Sequence, residues 1–152
     1  MHDFLLEVGG ELVARGHHAG GAPWRVGIER PNPGAPGDGG YEAVALLADR
    51  AMATSGDYRQ MRLEGADRVH HILDPRLGQS AVSDVASVTV LARDCATADA
   101  LATTVTVMGI DDGVPMAQAF APGVEVLWIQ RELGGAFTTG HTPGFPLGEA
   151  SP

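Results

Sequence analysis

The sequence predicts an α+β fold in which a mostly antiparallel sheet is backed by two helices. Two observations support this prediction. Short apolar segments separated by turn residues dominate the chain before Arg93, and apolar residues at helical spacing replace that pattern after it. With 152 residues the chain has the usual length of one domain, so we expect residues 1–152 to form a single domain.

The strands before Arg93 are predicted from seven apolar segments whose lengths and β-branched residues are typical of strands. They are FLLEV (4–8), ELVAR (11–15), WRVGIE (24–29), EAVALLA (42–48), YRQMRLE (58–64), RVHHILD (68–74) and VASVTVLA (85–92). Gly9-Gly10 and Gly65-Ala66-Asp67 predict tight turns between antiparallel neighbours. PNPGAPGDGG (31–40) predicts a surface loop, and its glycines do not have the spacing of a dinucleotide-binding motif.

The helices are predicted from the change of pattern after Arg93. Segment 95–109 carries four apolar residues at helical spacing and ends on a glycine, as helices often do. The four residues are Ala98, Leu101, Val105 and Met108. A second helix is expected within 111–121, starting near Val114-Pro115, since proline is favoured at the first helical position. A strand is expected at 124–130, and TTGHTPGFPLGEASP predicts a Pro/Gly-rich tail.

Composition excludes several classes of function. The chain has 19 acidic against 10 basic residues, so its field repels nucleic acid, and we expect no nucleic-acid partner. The basic residues are all arginine, which excludes Schiff-base chemistry and a Walker-type phosphate loop because both need lysine. Cys95 is the only cysteine, so an internal disulfide is impossible. No apolar run is long enough for a membrane span and no signal peptide is recognisable, so we expect a soluble chain.

Asp99 and Thr103 form the first candidate site. They are four residues apart, so they lie on one face of the predicted helix, roughly opposite its apolar stripe. A carboxylate and a hydroxyl are oxygen donors of the kind that hold Mg²⁺ when substrate phosphates complete the shell. The alternative is that Asp99 occupies the first helical turn, where it favours the helix dipole, while Thr103 faces water. Spacing alone favours this alternative, because such pairs are common on helix surfaces.

Two further stretches carry polar residues at predicted corners. In ATSGDY (53–58), Ser55 and Gly56 are expected in a tight corner, either near a ligand or in an ordinary turn. In RVHHILDPRLG (68–78), alternation places His70 and His71 on opposite faces of a strand, and Asp74 begins a turn. A zinc site here is excluded because adjacent strand residues point apart. An inward-facing histidine is by itself more often a core residue than a catalytic one.

Seven stretches, in their order along the chain, resemble the ApbE-type flavin transferases, also called FAD:protein FMN transferases. The stretches are LLEVGGELVARG, PWRVGIERP, ATSGDY, HHILDPRLG, SVTVLA, ADALATTVTVMG and TPGF. Each is modest alone, but their common order over nearly the whole chain is specific. The resemblance implies that FMN is transferred from FAD, with Mg²⁺, to a threonine hydroxyl of an acceptor flavoprotein, and that AMP is released.

The resemblance also implies roles for individual residues. The metal-binding aspartate and threonine of the family match Asp99 and Thr103, which reverses the preference for the dipole interpretation. His71 matches the histidine that the family uses beside the flavin during transfer, and Ile72 resembles a position that contacts FAD. By the same analogy, Ser55 and Gly56 would also lie near the flavin, as part of the cofactor-binding site.

Three positions depart from the family pattern. Leu77 replaces a threonine that often follows the Asp-Pro-Arg motif, and Ser80 stands where proline is usual. Ala102 replaces a second aspartate that some members carry just before the metal threonine, which leaves fewer metal oxygens. The departures put a turn contact and the completeness of the metal shell in question.

Family members are about twice as long as this chain, which resembles their C-terminal half. The resemblance therefore implies that a missing N-terminal half supplies further flavin contacts and a metal ligand, or that the chain self-associates. Many members are periplasmic or anchored to the inner membrane as lipoproteins. Two other functions stay open: an FAD-binding module without transfer, and a Mg²⁺-dependent FAD pyrophosphatase.

Overall fold

The computed structural model describes residues 2–31, 40–56, 61–64, 67–70, 73–75, 78–80 and 84–149. The strands are β1 (Phe4–Val8), β2 (Glu11–Arg15), β3 (Trp24–Glu29), β4 (Tyr41–Leu47), β5 (Ala51–Gly56), β6 (Met61–Glu64), β7 (Asp67–His70), β8 (Leu73–Asp74), β9 (Gln79–Ser80), β10 (Val85–Ala92), β11 (Glu125–Arg131), β12 (Phe137–His141) and β13 (Leu147–Gly148). The helices are α1 (Cys95–Met108) and α2 (Ile110–Phe120). The predicted α+β class, with antiparallel strands and two helices, is confirmed.

A six-stranded antiparallel sheet forms the centre of the fold, in the order β1-β2-β5-β10-β11-β12. β10 lies between β5 and β11, and all eight of its residues are buried. Its nearly continuous apolar sequence reflects a strand that is covered on both faces. β5, which carries Ser55, is therefore held against a strand that is buried along its whole length.

The two faces of this sheet pack against different elements. One face packs against α1 and α2 through a cluster that includes Val88, Val90 and Val105. The other face packs against a three-stranded sheet, β13-β4-β3, through a cluster that includes Leu47, Leu91 and Leu127. This small sheet was not predicted as a separate layer, because its strands resemble the others in length and composition.

The first helix begins and ends on identifiable residues. Asp94 is the N-cap, and its carboxylate accepts hydrogen bonds from the backbone N–H of Thr97 at 2.8 Å and from the Thr97 hydroxyl at 3.0 Å. These bonds lower the pKa of the Asp94 carboxyl. The helix ends at Gly109, whose φ of 82° favours glycine and whose N–H donates to the Val105 carbonyl at 2.9 Å.

Three sequence-based expectations about this part of the chain are wrong. α2 begins at Ile110 rather than near Val114-Pro115, because Gly109 ends α1 and caps α2 directly, and the acidic first turn of α2 favours the helix dipole. Met108 is 36% exposed and does not belong to the buried stripe. The expected tail at 138–152 contains most of β12 and all of β13, since Thr138 and Thr139 pair with β11 and Leu147 pairs with β4.

α1 and α2 are in close contact at Gly113, which gives a first prediction. A Cβ added at this residue would lie 2.8 Å from the Cα of Val105, closer than real Cβ atoms come. We expect Gly113→Val to destabilise the protein by about 1–3 kcal/mol, because the two helices must move apart. Urea unfolding measures this loss, with Ala119→Val as a control at an exposed position of the same helix. Equal losses in both variants would contradict the tight helix packing.

Candidate metal and flavin site

The exposed face of α1 presents Asp99 and Thr103 one helical turn apart. Both residues are exposed, whereas Ala98, Leu101 and Val105 on the other side are buried in the core. The predicted placement of the pair opposite the apolar stripe is confirmed. The helix-dipole interpretation of Asp99 is wrong, because the first turn of α1 contains no acidic residue. The carboxylate that lies at the N-terminus of the helix dipole is that of the N-cap, Asp94.

Ser55 is brought to the same face by the central sheet. Its hydroxyl lies 3.0 Å from the hydroxyl of Thr103, at the contact between β5 and α1. The expectation that Ser55 and Gly56 form a tight corner is wrong, since both belong to β5. In β5 they pair with Val88 and Ser87 of β10, and pairing with a central strand keeps the segment extended. Three candidate oxygens, from Ser55, Asp99 and Thr103, therefore lie on one surface.

A cavity of about 360 Å³ opens beside Asp99. Its walls come from the β1–β2 hairpin and the start of α1, and they are Leu6, Val8, Glu11, Val13, Cys95, Ala96 and Asp99. The walls are mostly apolar, with two carboxylates at the surface. A cleft of this kind accommodates an apolar ring next to a polar or charged group.

Cys95 lies in the wall of this cavity, one turn before Asp99. Burial, followed by the negative charges of Glu11 and Asp94, raises the pKa of its thiol above the usual value of 9.0. The thiol is therefore protonated at neutral pH and contacts the Leu12 carbonyl at 3.6 Å as a weak donor. A protonated thiol is a poor metal ligand and a poor nucleophile. The candidate ligand atoms on this surface are therefore the oxygens rather than the sulfur.

The oxygen donors fit a hard cation such as Mg²⁺. Mg²⁺ is commonly held by one or two protein carboxylates together with water and substrate phosphates, rather than by a complete protein cage. The carboxylate of Asp99 and the hydroxyl of Thr103 are donors of the kind that form such a partial shell. Within the part of the chain that the structure describes, no group of three or more His, Cys, Asp or Glu residues is arranged to hold a metal.

His71 and Ile72 lie outside the described residues, so their predicted proximity to Asp99 stays a prediction. The turn that follows them is described at its two ends, while Arg76 and Leu77 lie outside the described residues. The Gly78 N–H donates to the Asp74 carbonyl at 2.8 Å, and Gly78 has φ 66°. Asp74 is 4% exposed, and β8 pairs with β9 across this turn. The turn predicted after Asp74 is therefore confirmed.

Thr142 of the TPGF stretch has a structural function that the sequence analysis missed. Its buried hydroxyl accepts from the Val126 N–H at 3.0 Å and donates to the Glu125 carboxylate. A Cβ on Gly144 would meet the Glu125 carboxylate, so a larger residue there requires this side chain to move. The motif itself was visible in the sequence, but the surrounding Pro and Gly residues indicated a tail. These contacts of Thr142 hold the end of β12 against β11.

The described helices include none that is long and apolar enough to cross a membrane.

Comparison with known proteins finds one family throughout. The family model described as "ApbE family" matches residues 1–128. The FAD:protein FMN transferase of Vibrio cholerae is 39% identical over 119 residues, which cover 78% of this chain and 35% of the relative. The FAD:protein FMN transferase of Klebsiella pneumoniae is 32% identical over 142 residues, which cover 93% of this chain and 39% of the relative.

Solved structures give the same result for the fold. The flavinyl transferase ApbE of Pseudomonas stutzeri, in its apo form, matches with a TM-score of 0.74 and 33% identity, covering 93% of this chain and 42% of that one. The flavin transferase ApbE of Vibrio cholerae matches with a TM-score of 0.74 and 36% identity, covering 95% and 43%. The chain thus spans 33–39% of the length of the first curated relatives it matches.

Proposed function

The chain belongs to the ApbE family, and from this premise we propose that it provides the metal-binding face of an enzyme that transfers FMN from FAD to a protein. The substrate is FAD, the cofactor is Mg²⁺, and the acceptor is a threonine hydroxyl of a flavoprotein. One observation carries the proposal: Asp99 and Thr103 lie together at the solvent face of α1, with Ser55 bonded to Thr103 and an open cavity beside Asp99.

The proposed reaction exchanges one phosphorus–oxygen bond for another. The threonine oxygen of the acceptor bonds to the phosphorus on the FMN side of the pyrophosphate, and the bond to the bridging oxygen breaks. AMP leaves with that oxygen, and the hydroxyl proton passes to a base. Bound Mg²⁺ neutralises the negative charge of the pyrophosphate. In this scheme the carboxylate of Asp99 and the hydroxyl of Thr103 hold the metal.

The flavin side of the site is proposed from the family pattern. His71 would lie beside the flavin and act in transfer, where an imidazole is well suited to accept a proton near neutral pH. Ile72 would contact FAD, and Ser55 and Gly56 would lie near the flavin. The position of Ser55 on the helix-facing side of β5 is compatible with this placement, because the adjacent Thr103 is exposed.

The complete reaction needs more polypeptide than this chain, because matched relatives are more than twice as long and the described oxygens fill only part of a metal shell. We propose that a segment equivalent to the rest of those relatives, or a second copy of this chain, covers the edge strand β1. Three apolar side chains support this, since Leu5, Leu6 and Val8 are 38%, 52% and 67% exposed. Within the described residues, β1 pairs with β2 on one side only.

The exposed edge predicts self-association of the isolated chain. We expect light scattering at high concentration to give a mass above the 15.8 kDa of the monomer, because association covers the apolar side chains of β1. Val8→Glu should shift the population towards monomer, since it places charge on the edge. Leu133→Glu is the matched control, because Leu133 is fully exposed in the β11–β12 loop. A monomeric wild-type chain would contradict the prediction.

The proposed activity is tested by incubating the chain with FAD, Mg²⁺, an acceptor carrying the target threonine, and the remaining part of a matched relative. We expect covalent flavin on the acceptor and release of AMP, and no label on an acceptor whose threonine is replaced by valine. FAD binding without AMP release would identify a binding module instead. AMP and free FMN without an acceptor would identify a pyrophosphatase.

A further inference from the structure

Thr103 differs from the other threonines of α1 in the partner of its hydroxyl. Thr104 and Thr106 donate to the carbonyls of Ala100 and Ala102, four residues earlier, at 2.7 and 2.9 Å. Thr97 donates to the Asp94 cap. Thr103 reaches another element, with its hydroxyl 3.0 Å from that of Ser55 in β5. The contact involves the threonine of α1 that the proposed function uses.

From this contrast we infer that Ser55 is a positioning residue, which holds the Thr103 hydroxyl in the orientation needed for a divalent cation. The inference rests on the proposed function and deepens it. Ser55 itself is not required to touch the metal. Its contribution is to select one side-chain rotamer of Thr103 before any ligand binds.

The rotamer argument follows from helix geometry. A helical threonine divides between two χ1 rotamers, because its hydroxyl is able to bond the carbonyl three or four residues earlier. Without Ser55, the Thr103 hydroxyl is free to bond the Asp99 carbonyl, as Thr104 and Thr106 bond the equivalent carbonyls. That rotamer turns the oxygen towards its own helix. The bond to Ser55 stabilises the alternative rotamer.

The need of the Thr103 hydroxyl for a hydrogen-bond acceptor supports the same inference. A hydroxyl that offers a lone pair to a cation has to donate its proton to another acceptor. Ser55 Oγ lies at the right distance to accept it. Outer partners of this kind orient the groups that contact a metal, and their loss typically lowers metal affinity about 10- to 100-fold.

Packing of β5 in the central sheet fixes the position of Ser55 in this contact. Ser55 pairs with Val88 of the fully buried strand β10, and Ala51 and Ala53 of β5 are buried. α1 packs on the same sheet through Val105 and its neighbours. The distance between the two hydroxyls is therefore set by the core rather than by a loop.

The test compares Ser55→Ala with Ser55→Thr and with Thr54→Val. The first variant removes the positioning hydroxyl, and the second keeps it. The third is a matched control on the same strand, because it removes a different hydroxyl pair, between Thr54 and Thr89 at 2.9 Å. Mn²⁺ serves as the probe, added to the chain with FAD present, and paramagnetic broadening of the Asp99 and Thr103 amide signals reports its apparent affinity.

We expect Ser55→Ala to weaken Mn²⁺ binding about 10- to 100-fold, Ser55→Thr to restore it, and Thr54→Val to leave it unchanged while lowering the melting temperature. In metal-free samples, three-bond couplings should show that the Thr103 rotamer changes in Ser55→Ala only. Unchanged affinity and an unchanged rotamer in Ser55→Ala, with affinity lost in Asp99→Asn, would overturn the positioning role and leave the metal site standing. Absence of any Mn²⁺ effect in the wild-type chain would overturn both.

Discussion

Replacing Asp99 with Asn is expected to lower the rate of metal-dependent flavin transfer about 10³-fold, since a catalytic metal supplies several kcal/mol of charge stabilisation. The amide keeps the shape of the carboxylate but removes its charge, which is the property that attracts the cation. Asp99 is exposed and has no part in capping α1, so the free energy of unfolding should change by less than about 0.5 kcal/mol.

The effect of Asp99→Asn is measured as AMP release and covalent flavin against Mg²⁺ concentration, with the complementing segment present. Asp112→Asn is the matched control, because Asp112 is an exposed helical aspartate at the start of α2. It should retain the wild-type rate. Full activity of Asp99→Asn at limiting Mg²⁺ would remove Asp99 from the metal site, and an equal loss in Asp112→Asn would point to net charge instead.

Replacing His71 with Ala is expected to lower the transfer rate about 10²- to 10⁴-fold, which is the usual contribution of a positioned acid or base. The proposed role of His71 beside the flavin predicts that this loss appears in the rate of the bound complex. Mg²⁺ affinity, which we assign to Asp99 and Thr103, should stay the same.

Two measurements separate this role from that of a core histidine. Thermal unfolding of His71→Ala should resemble that of the wild-type chain, and His70→Ala, at the neighbouring position in the sequence, should keep most of the transfer rate. A large fall in melting temperature with little change in the rate per folded molecule would show that His71 packs in the core.

The strands were predictable where the amino-acid pattern is local. β1, β2, β3 and β10 have the predicted bounds because each is a β-branched or apolar segment between turn residues. β12 and β13 were missed, since their threonines and glycines form strands only by pairing with β11 and β4. Pairing of this kind is a tertiary effect that no window of the sequence contains.

The candidate site likewise has one part that the local sequence predicts and another that depends on tertiary packing. Spacing alone predicted that Asp99 and Thr103 share a face, because helix periodicity fixes it. The contact between Ser55 and Thr103 joins residues 48 positions apart and depends on how α1 packs on β5. The corner expected at Ser55 was wrong because pairing of β5 with β10 extends the strand through Gly56. The family pattern named the residues, and the fold brings three of them together.

A crystal structure of the chain with its complementing segment, soaked with FAD and Mn²⁺, tests the proposed metal face most directly. We expect an anomalous peak within about 2.5 Å of the Asp99 carboxylate and the Thr103 hydroxyl, a distance typical of oxygen coordination, with a phosphate oxygen of FAD completing the shell. A Mn²⁺ ion bound to FAD elsewhere, with Asp99 and Thr103 contacting only water, would contradict the proposal.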